Sequence, residues 1–295
     1  MGFSRDPLVL QVNALVVGCG FVGLELVRRF LDSGWTTSAI TLSQKSASEL
    51  QTAGWPVFSL DVTHDHQVAN LKLASHTIVA YCASSSKGGV AAYRQIFVEA
   101  VGRFLRRDEV EHLVFASSTS VYAQTRGERV DEDSPAIPER ETGKILRTAE
   151  EQVLAAQGSV ARLAGIYGPG RCVPLQKLLA GEAVIEESGS RVMNSIHRDD
   201  AADGLHLLAS KRPGGIFNLT DDEPVTQLEW YQEVCALLNM PLPQTVPRDL
   251  NRKRGWTSKR VSNAKLRALG WAPKYPSFRD GVRAILQERG ARSEE

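Results

Sequence analysis

The chain has 295 residues, 42% of them hydrophobic and 23% charged, which is ample apolar material for one large α/β domain or two smaller ones. Its 35 basic and 34 acidic side chains leave a formal net charge of +1, so no global field draws it to nucleic acid or anionic lipid. Cys19, Cys82, Cys172 and Cys235 lie far apart without a C-x-x-C pair, which argues against a disulfide framework or thiolate metal site and for reduced thiols in a cytoplasmic protein.

In chain order, LVLQVNALVV (8–17) reads as a buried strand rather than a signal peptide or membrane span, since Asp6 and Pro7 precede it and Gly18 and Gly20 break the apolar run. A helix follows over 22–34, then a strand over 36–43, a helix over 46–54, a short strand over 55–62 and a helix over 66–74. Next come a strand over 76–83, a long helix over 90–107, a strand over 111–118, a helix through 142–157 and a sixth strand over 159–165. Strands alternating with helices at these intervals predict right-handed crossovers and a doubly wound parallel sheet, an α/β Rossmann fold covered on both faces. Beyond residue 165 prolines punctuate shorter elements. The expected division is a dinucleotide-binding domain over 1–165, to which segments near 195–220 return, and a smaller substrate-binding lobe over 166–295. His64 and His66 have no third donor nearby and read as a solvated loop or helix start, so no metal is expected.

Gly18-Cys19-Gly20-Phe21-Val22-Gly23 lies between an apolar strand and an amphipathic helix. In that setting Gly18 permits a tight turn, Gly20 lets a pyrophosphate approach the backbone, and Gly23 allows close helix–strand contact. Cofactor choice turns on the end of the second strand, where a carboxylate would favour NAD. The sequence there is Thr41-Leu42-Ser43-Gln44-Lys45, with no acid. Ser43 and Lys45 suit a 2′-phosphate, so NADP is the preferred cofactor and NAD the alternative. Asp61 is placed to meet the adenine edge or to cap the next helix. The expected cofactor contacts are completed by Phe21, Val22, Val62, Cys82, Ala83 and Ser117.

FASSTSVY (115–122), VDEDSP (130–135), RLAGIYGPGR (162–171) and NSIHRDD (194–200) resemble the extended short-chain dehydrogenase/reductase family, the NAD(P)-dependent epimerases and dehydratases of nucleotide sugars. FNLTDDEPVT (217–226) and SKRVSNAKLRALGW (258–271) fit its C-terminal half. The resemblance implies a catalytic hydroxyl at Ser118, substrate contacts at Ser118, Thr119, Arg171, Asn194, His197 and Arg260, and a homodimer formed through the helices near 90–107 and 142–157. It also implies a Tyr-x-x-x-Lys, in which the lysine lowers the pKa of a catalytic phenol. With Glu150 aligned on the family's glutamate, Thr142 stands at the tyrosine position and Leu146 at the lysine position. Both groups are missing, as in an atypical subgroup where glycine and a basic residue, here Gly143 and Lys144, follow the lost tyrosine.

Three readings compete. The first is an oxidoreductase or epimerase acting on a nucleotide sugar or related small polar substrate, with a relocated acid/base drawn from Lys144, Tyr167, Tyr81 or His197 and a hydroxyl contribution from Ser118 and Thr142. The second is a dinucleotide-binding sensor without turnover, and the third a structural relic. The family's usual Arg before the Ile-His pair is Ser195, which leaves Arg171 or Arg191 for that anionic contact. A basic cluster from Arg248 through Arg252, Lys253, Arg254, Lys259 and Arg260 offers a clamp for an anionic substrate, or simply a solvated face. It lacks the interleaved aromatics of a nucleic-acid groove.

Overall fold

The computed structural model describes residues 12–52, 54–85, 89–248 and 256–293. The apolar pentads NALVV and TIVAY form β1 (Asn13–Val17) and β4 (Thr77–Tyr81), both buried almost throughout, as central strands of a parallel sheet must be. Around them run α1 (Gly23–Asp32), β2 (Thr36–Thr41), α2 (Gln44–Gln51), β3 (Val57–Ser59) and α3 (Asp65–Ala69), all before β4. After β4 come α4 (Gly89–Arg94), a π-helical turn (Gln95–Glu99), α5 (Ala100–Leu105), β5 (Val110–Ser118) and a 3-10 turn (Thr119–Val121). β6 (Glu128–Val130), α6 (Glu141–Ala155), β7 (Ser159–Leu163), β8 (Gly165–Tyr167), α7 (Val173–Leu179), β9 (Val184–Glu186), β10 (Val192–Met193) and β11 (Ser195–His197) follow. The remainder is α8 (Arg198–Lys211), β12 (Gly215–Leu219), β13 (Val225–Thr226), α9 (Gln227–Leu238), β14 (Gln244–Val246), β15 (Lys259–Val261), α10 (Ala264–Ala268) and α11 (Phe278–Ser293).

Seven strands form one sheet in the order β12-β7-β5-β4-β1-β2-β3, every pairing parallel. The pleat sends Leu15 and Val17 into one apolar layer with Phe97, Phe104 and Ile145, and Ala14 and Val16 into the other with Leu26, Phe30 and Leu205. A third cluster, built on Leu175, Trp230, Val234 and Phe278, lies among the elements beyond residue 165. The strand order reverses between β1 and β4, so their carboxyl ends splay apart and leave a crevice, the position where open α/β sheets receive ligands.

Local departures from the sequence reading have physical causes. The helix expected over 90–107 is interrupted at Gln95–Glu99 by π-helical bonding. There the Ile96 carbonyl accepts the buried Tyr81 hydroxyl at 2.5 Å, so the widened turn satisfies a phenol that the sheet interior could not. The helix expected over 66–74 stops at Ala69, and the strand expected over 55–62 is only Val57–Ser59, at the sheet edge. Residues 8–11 of the first expected strand lie outside the described residues. Among the described residues no helix is long and apolar enough to cross a membrane, and no cluster of three or more His, Cys, Asp or Glu could hold a metal.

Candidate functional site

The glycine turn sits on the crevice. Gly18, at the end of β1, has φ +91, and a Cβ there would lie 2.5 Å from the backbone of Ala83. A Cβ on Gly23 would lie 2.2 Å from the Gly18 carbonyl oxygen, so the entry of α1 and the end of β1 touch backbone to backbone. Gly20 is different: apart from its chain neighbours, no atom of the described residues lies within 4 Å of its would-be Cβ. The fold itself therefore demands Gly18 and Gly23, while the space over Gly20 is open to a ligand. Val22 caps α1 without a side-chain hydrogen bond, as suits a helix start whose amides are to receive a diphosphate.

The cleft over this turn has a volume of about 580 Å³. Its walls include Gly18, Gly20, Phe21, Val22 and Gly23 from the turn, Asp61 and Val62 beyond β3, Cys82 and Ala83 beyond β4, and Ser117 and Ser118 at the end of β5. Arg171 also reaches this wall, its guanidinium 5.2 Å from the centre of the Phe21 ring. Burial works to raise the Asp61 carboxyl, but the hydroxyl and amide of Thr63 outweigh it and hold the group below its ordinary value. Cys19 and Cys82 are no nucleophiles here, since burial pushes their thiols up to about 11 and about 12.

A second pocket of about 460 Å³ adjoins the first, the two sharing Tyr93 and Ser118 as wall residues. Thr142 and Gly143, at the start of α6, line the second pocket, and Leu146, one turn further, lines the first. The two positions where the resemblance leads one to expect a phenol and an ammonium thus face the clefts and offer a methyl-bearing hydroxyl and an isobutyl group. Gly143 fixes the approach of this helix, because a Cβ there would come 2.4 Å from Pro138. Beneath it Glu150, fully buried, accepts from Ser117 at 2.6 Å and from Arg162 at 2.7 and 3.0 Å, with Arg147 as a third partner at 2.5 Å. This charge network ties α6 and β7 to the end of β5, and so fixes the backbone that carries Ser118.

Several expected site residues are elsewhere. Ser43 caps α2, accepting from the Ser46 amide at 3.1 Å, and Lys45 points to solvent 3.9 Å from Glu49; Leu42 and Ser46 line the cleft in their place. Lys144 is exposed and paired with Glu141 at 2.8 Å, because the helical turn carries it away from the pocket that Thr142 faces. Tyr167 is buried, gives its hydroxyl to the Ser277 carbonyl, packs on Gly281 and is on the wall of neither pocket. His197 is buried against Tyr275 and caps α8 by accepting from the Asp199 amide, and burial pushes its ring down to about 4. Thr119 is buried in the 3-10 turn. Asn194 bridges the Lys259 carbonyl and the Val261 amide, Arg260 donates to the Gly127 carbonyl, and neither is on the wall of these two pockets. Tyr81 is spent on Ile96. Arg252, Lys253 and Arg254 lie outside the described residues.

The sequence reading missed Tyr93, Arg140, Trp256 and Thr257 on the pocket walls, and Arg162 beneath them. Arg162 had a readable signal: an arginine inside the apolar strand SVARL needs a buried carboxylate. The other four come from loops and helix ends whose convergence is set by tertiary packing.

The profile of the NAD dependent epimerase/dehydratase family matches residues 14–220. A Streptomyces protein named 3-diazoavenalumate denitrifying reductase is 31% identical over 192 residues, which cover 57% of this chain and 62% of that protein, so the chain spans under two thirds of its length. A conserved protein of unknown function from Silicibacter pomeroyi superposes with a TM-score of 0.74 at 26% identity, over 95% of this chain and 99% of that one. The NAD complex of dTDP-glucose 4,6-dehydratase from Bacillus anthracis shares the fold, with a TM-score of 0.78 at 18% identity over 96% and 98% of the two chains.

Proposed function

Because the chain belongs to the NAD dependent epimerase/dehydratase family, we propose that it is a dinucleotide-dependent oxidoreductase working in the reductive direction on a small polar substrate seated beyond Ser118. The observation that carries this reading is the pairing of an open glycine cradle with Thr142 and Leu146 on the cleft walls. Gly18, Gly20 and Gly23 with the first turn of α1 would hold the diphosphate, Asp61 and Val62 the adenine side, and Ala83, Ser117 and Leu146 the far end. When bound, the dinucleotide supplies or accepts a hydride at its nicotinamide carbon.

The chain's own groups supply no base: a hydroxyl such as that of Thr142, with no cation at position 146, cannot take a proton at neutral pH. That suits a substrate whose reduction by the dinucleotide is itself strongly favoured. Ser118 and Thr142 can donate hydrogen bonds to a heteroatom as negative charge grows on it, while solvent supplies the proton. The name of the Streptomyces reductase supports the same direction. NADP is the proposed preference, because no carboxylate stands among Thr41, Leu42 and Ser46 on the ribose side. The lost pair equally suits a dinucleotide sensor without turnover. The inferred homodimer through the helices at 90–107 and 142–157 rests on the family resemblance, and sedimentation would test it.

The deciding experiment follows NADPH and NADH oxidation against a panel of electrophiles, alongside oxidation of sugar nucleotides and simple alcohols. Reduction of an electrophile is expected to be far faster than oxidation of any alcohol in the panel. Efficient alcohol oxidation at neutral pH would overturn the direction, and binding without any transfer would favour the sensor.

A further inference from the structure

The second pocket carries information about its occupant that the cofactor cleft does not. Arg140 and Arg248 line its wall, and Glu139 is the carboxylate among its described lining residues. Arg248 stacks on Trp256, its guanidinium carbon 3.9 Å from the ring centre, and one of its nitrogens pairs with Glu187 at 2.8 Å. A guanidinium has five N–H donors in a planar fork, so one partner leaves donors over, and the stack holds that fork in place. A third cation stands behind the wall. Lys259 is buried, and its ammonium donates to the Tyr122 carbonyl at 2.9 Å and to the Thr257 hydroxyl at 3.0 Å. Burial lowers that ammonium only to about 8, so it is still mostly charged at neutral pH. A hydroxyl that accepts from an ammonium keeps its own proton for another acceptor, and Thr257 lines the pocket.

The pocket also has aromatic walls, Trp256 and Tyr93. Asn194 and Arg260 are engaged with backbone groups, Arg191 lies 3.8 Å from Glu186, and none of the three is on the described pocket wall. We propose that the substrate seated here is a small planar carboxylate, its anion held by Arg248 and the Thr257 hydroxyl and its ring laid against Trp256. This rests on the reading of the same site as the substrate pocket of a reductase. It directs the anion to the arginine end and leaves the reducible group of the substrate toward Ser118, the residue shared with the cofactor cleft.

The test titrates the full chain with trans-cinnamate, with the neutral cinnamide and with UDP-glucose, by calorimetry, in the presence and absence of NADPH. Cinnamate is expected to bind about tenfold or more tightly than cinnamide, and Arg248→Met to remove that advantage while NADPH affinity stays unchanged. Thr257→Val is expected to weaken cinnamate by a smaller factor. Equal affinity for acid and amide, or UDP-glucose binding more tightly than cinnamate with the same arginine dependence, would overturn the proposal. The two readings fail separately: arginine-dependent cinnamate binding without any NADPH binding defeats the reductase and keeps the anion site, and the converse defeats the anion site alone.

Discussion

Side chains added at Gly20 and at Gly23 should have opposite consequences. At Gly23 a methyl group would stand 2.2 Å from the Gly18 carbonyl oxygen and 3.2 Å from the Val16 side chain, and the backbone carbonyl cannot yield. Gly23→Ala must therefore push α1 off the end of β1, at a cost of about 3 kcal/mol or more. At roughly 2–4 °C per kcal/mol for a domain of this size, the melting temperature should fall by about 6–12 °C without any ligand. At Gly20 the new Cβ meets, apart from its chain neighbours, no atom of the described residues within 4 Å, and the backbone there is not in the left-handed region, so Gly20→Leu should melt within about 2 °C of the wild type. Its loss should be in binding. A dinucleotide at a hundred times its Kd stabilises the wild type by about 2.7 kcal/mol, or roughly 5–10 °C. Thermal melts with and without NADPH, backed by calorimetric titration, read both effects. A Gly20→Leu variant that keeps the full ligand shift would refute the cradle, and a Gly23→Ala variant that melts like the wild type would refute the packing argument.

Replacing Arg162 by Met leaves the fully buried Glu150 with only Arg147 and Ser117, and urea unfolding should show a loss of about 3 kcal/mol; under 1 kcal/mol would mean the network carries little. His197, pushed down to about 4 in the folded state against an ordinary 6.5, favours folding above pH 6.5, and that contribution drains away as pH falls toward 4. The stability difference between wild type and His197→Asn should therefore shrink by up to about 3 kcal/mol between pH 7 and 4.5 in urea titrations, and a constant difference would show that the ring titrates freely. Lys45 is 87% exposed beside Glu49, so Lys45→Ala should change NADPH affinity less than about twofold, whereas Leu42→Asp should shift preference toward NADH by about tenfold. The opposite ranking would return Lys45 to the cofactor site.

The sheet and the cradle were legible because their causes are local. Alternating apolar runs of the right lengths, and three glycines between a strand and a helix, each impose a backbone geometry that needs no distant partner. Thr142 and Leu146 were legible for a related reason: one helical turn separates them, so once the resemblance identified Glu150 the face followed. Ser43 and Lys45 were misplaced because a serine at that point is the natural cap of α2. It turns its hydroxyl back to the Ser46 amide and carries the next residue outward. Tyr167 and His197 failed for the opposite reason. Polar tips in motif-like sequences were buried by α11 and the Tyr275 segment, which approach from more than seventy residues away.

The buried charges explain how the proposed site could do without the expected proton relay and still keep its shape. In the resembled family a lysine at position 146 would need an anion or a ligand hydroxyl nearby; Leu146 instead packs with Ile145, Ala149 and Val153 in the core. The helix is held by Glu150 on its inner face, four residues from that position, and by Pro138 against Gly143 at its start. Neither constraint involves residue 142 or 146. Chemistry at those two positions could thus change while Ser118 and the cradle stayed in place, and Thr142→Tyr with Leu146→Lys should be accommodated by the backbone. If the proposed direction is set by the missing base, that double variant should gain alcohol oxidation at pH 8, and its failure to do so while still binding NADPH would mean that pocket shape, not proton transfer, decides the direction.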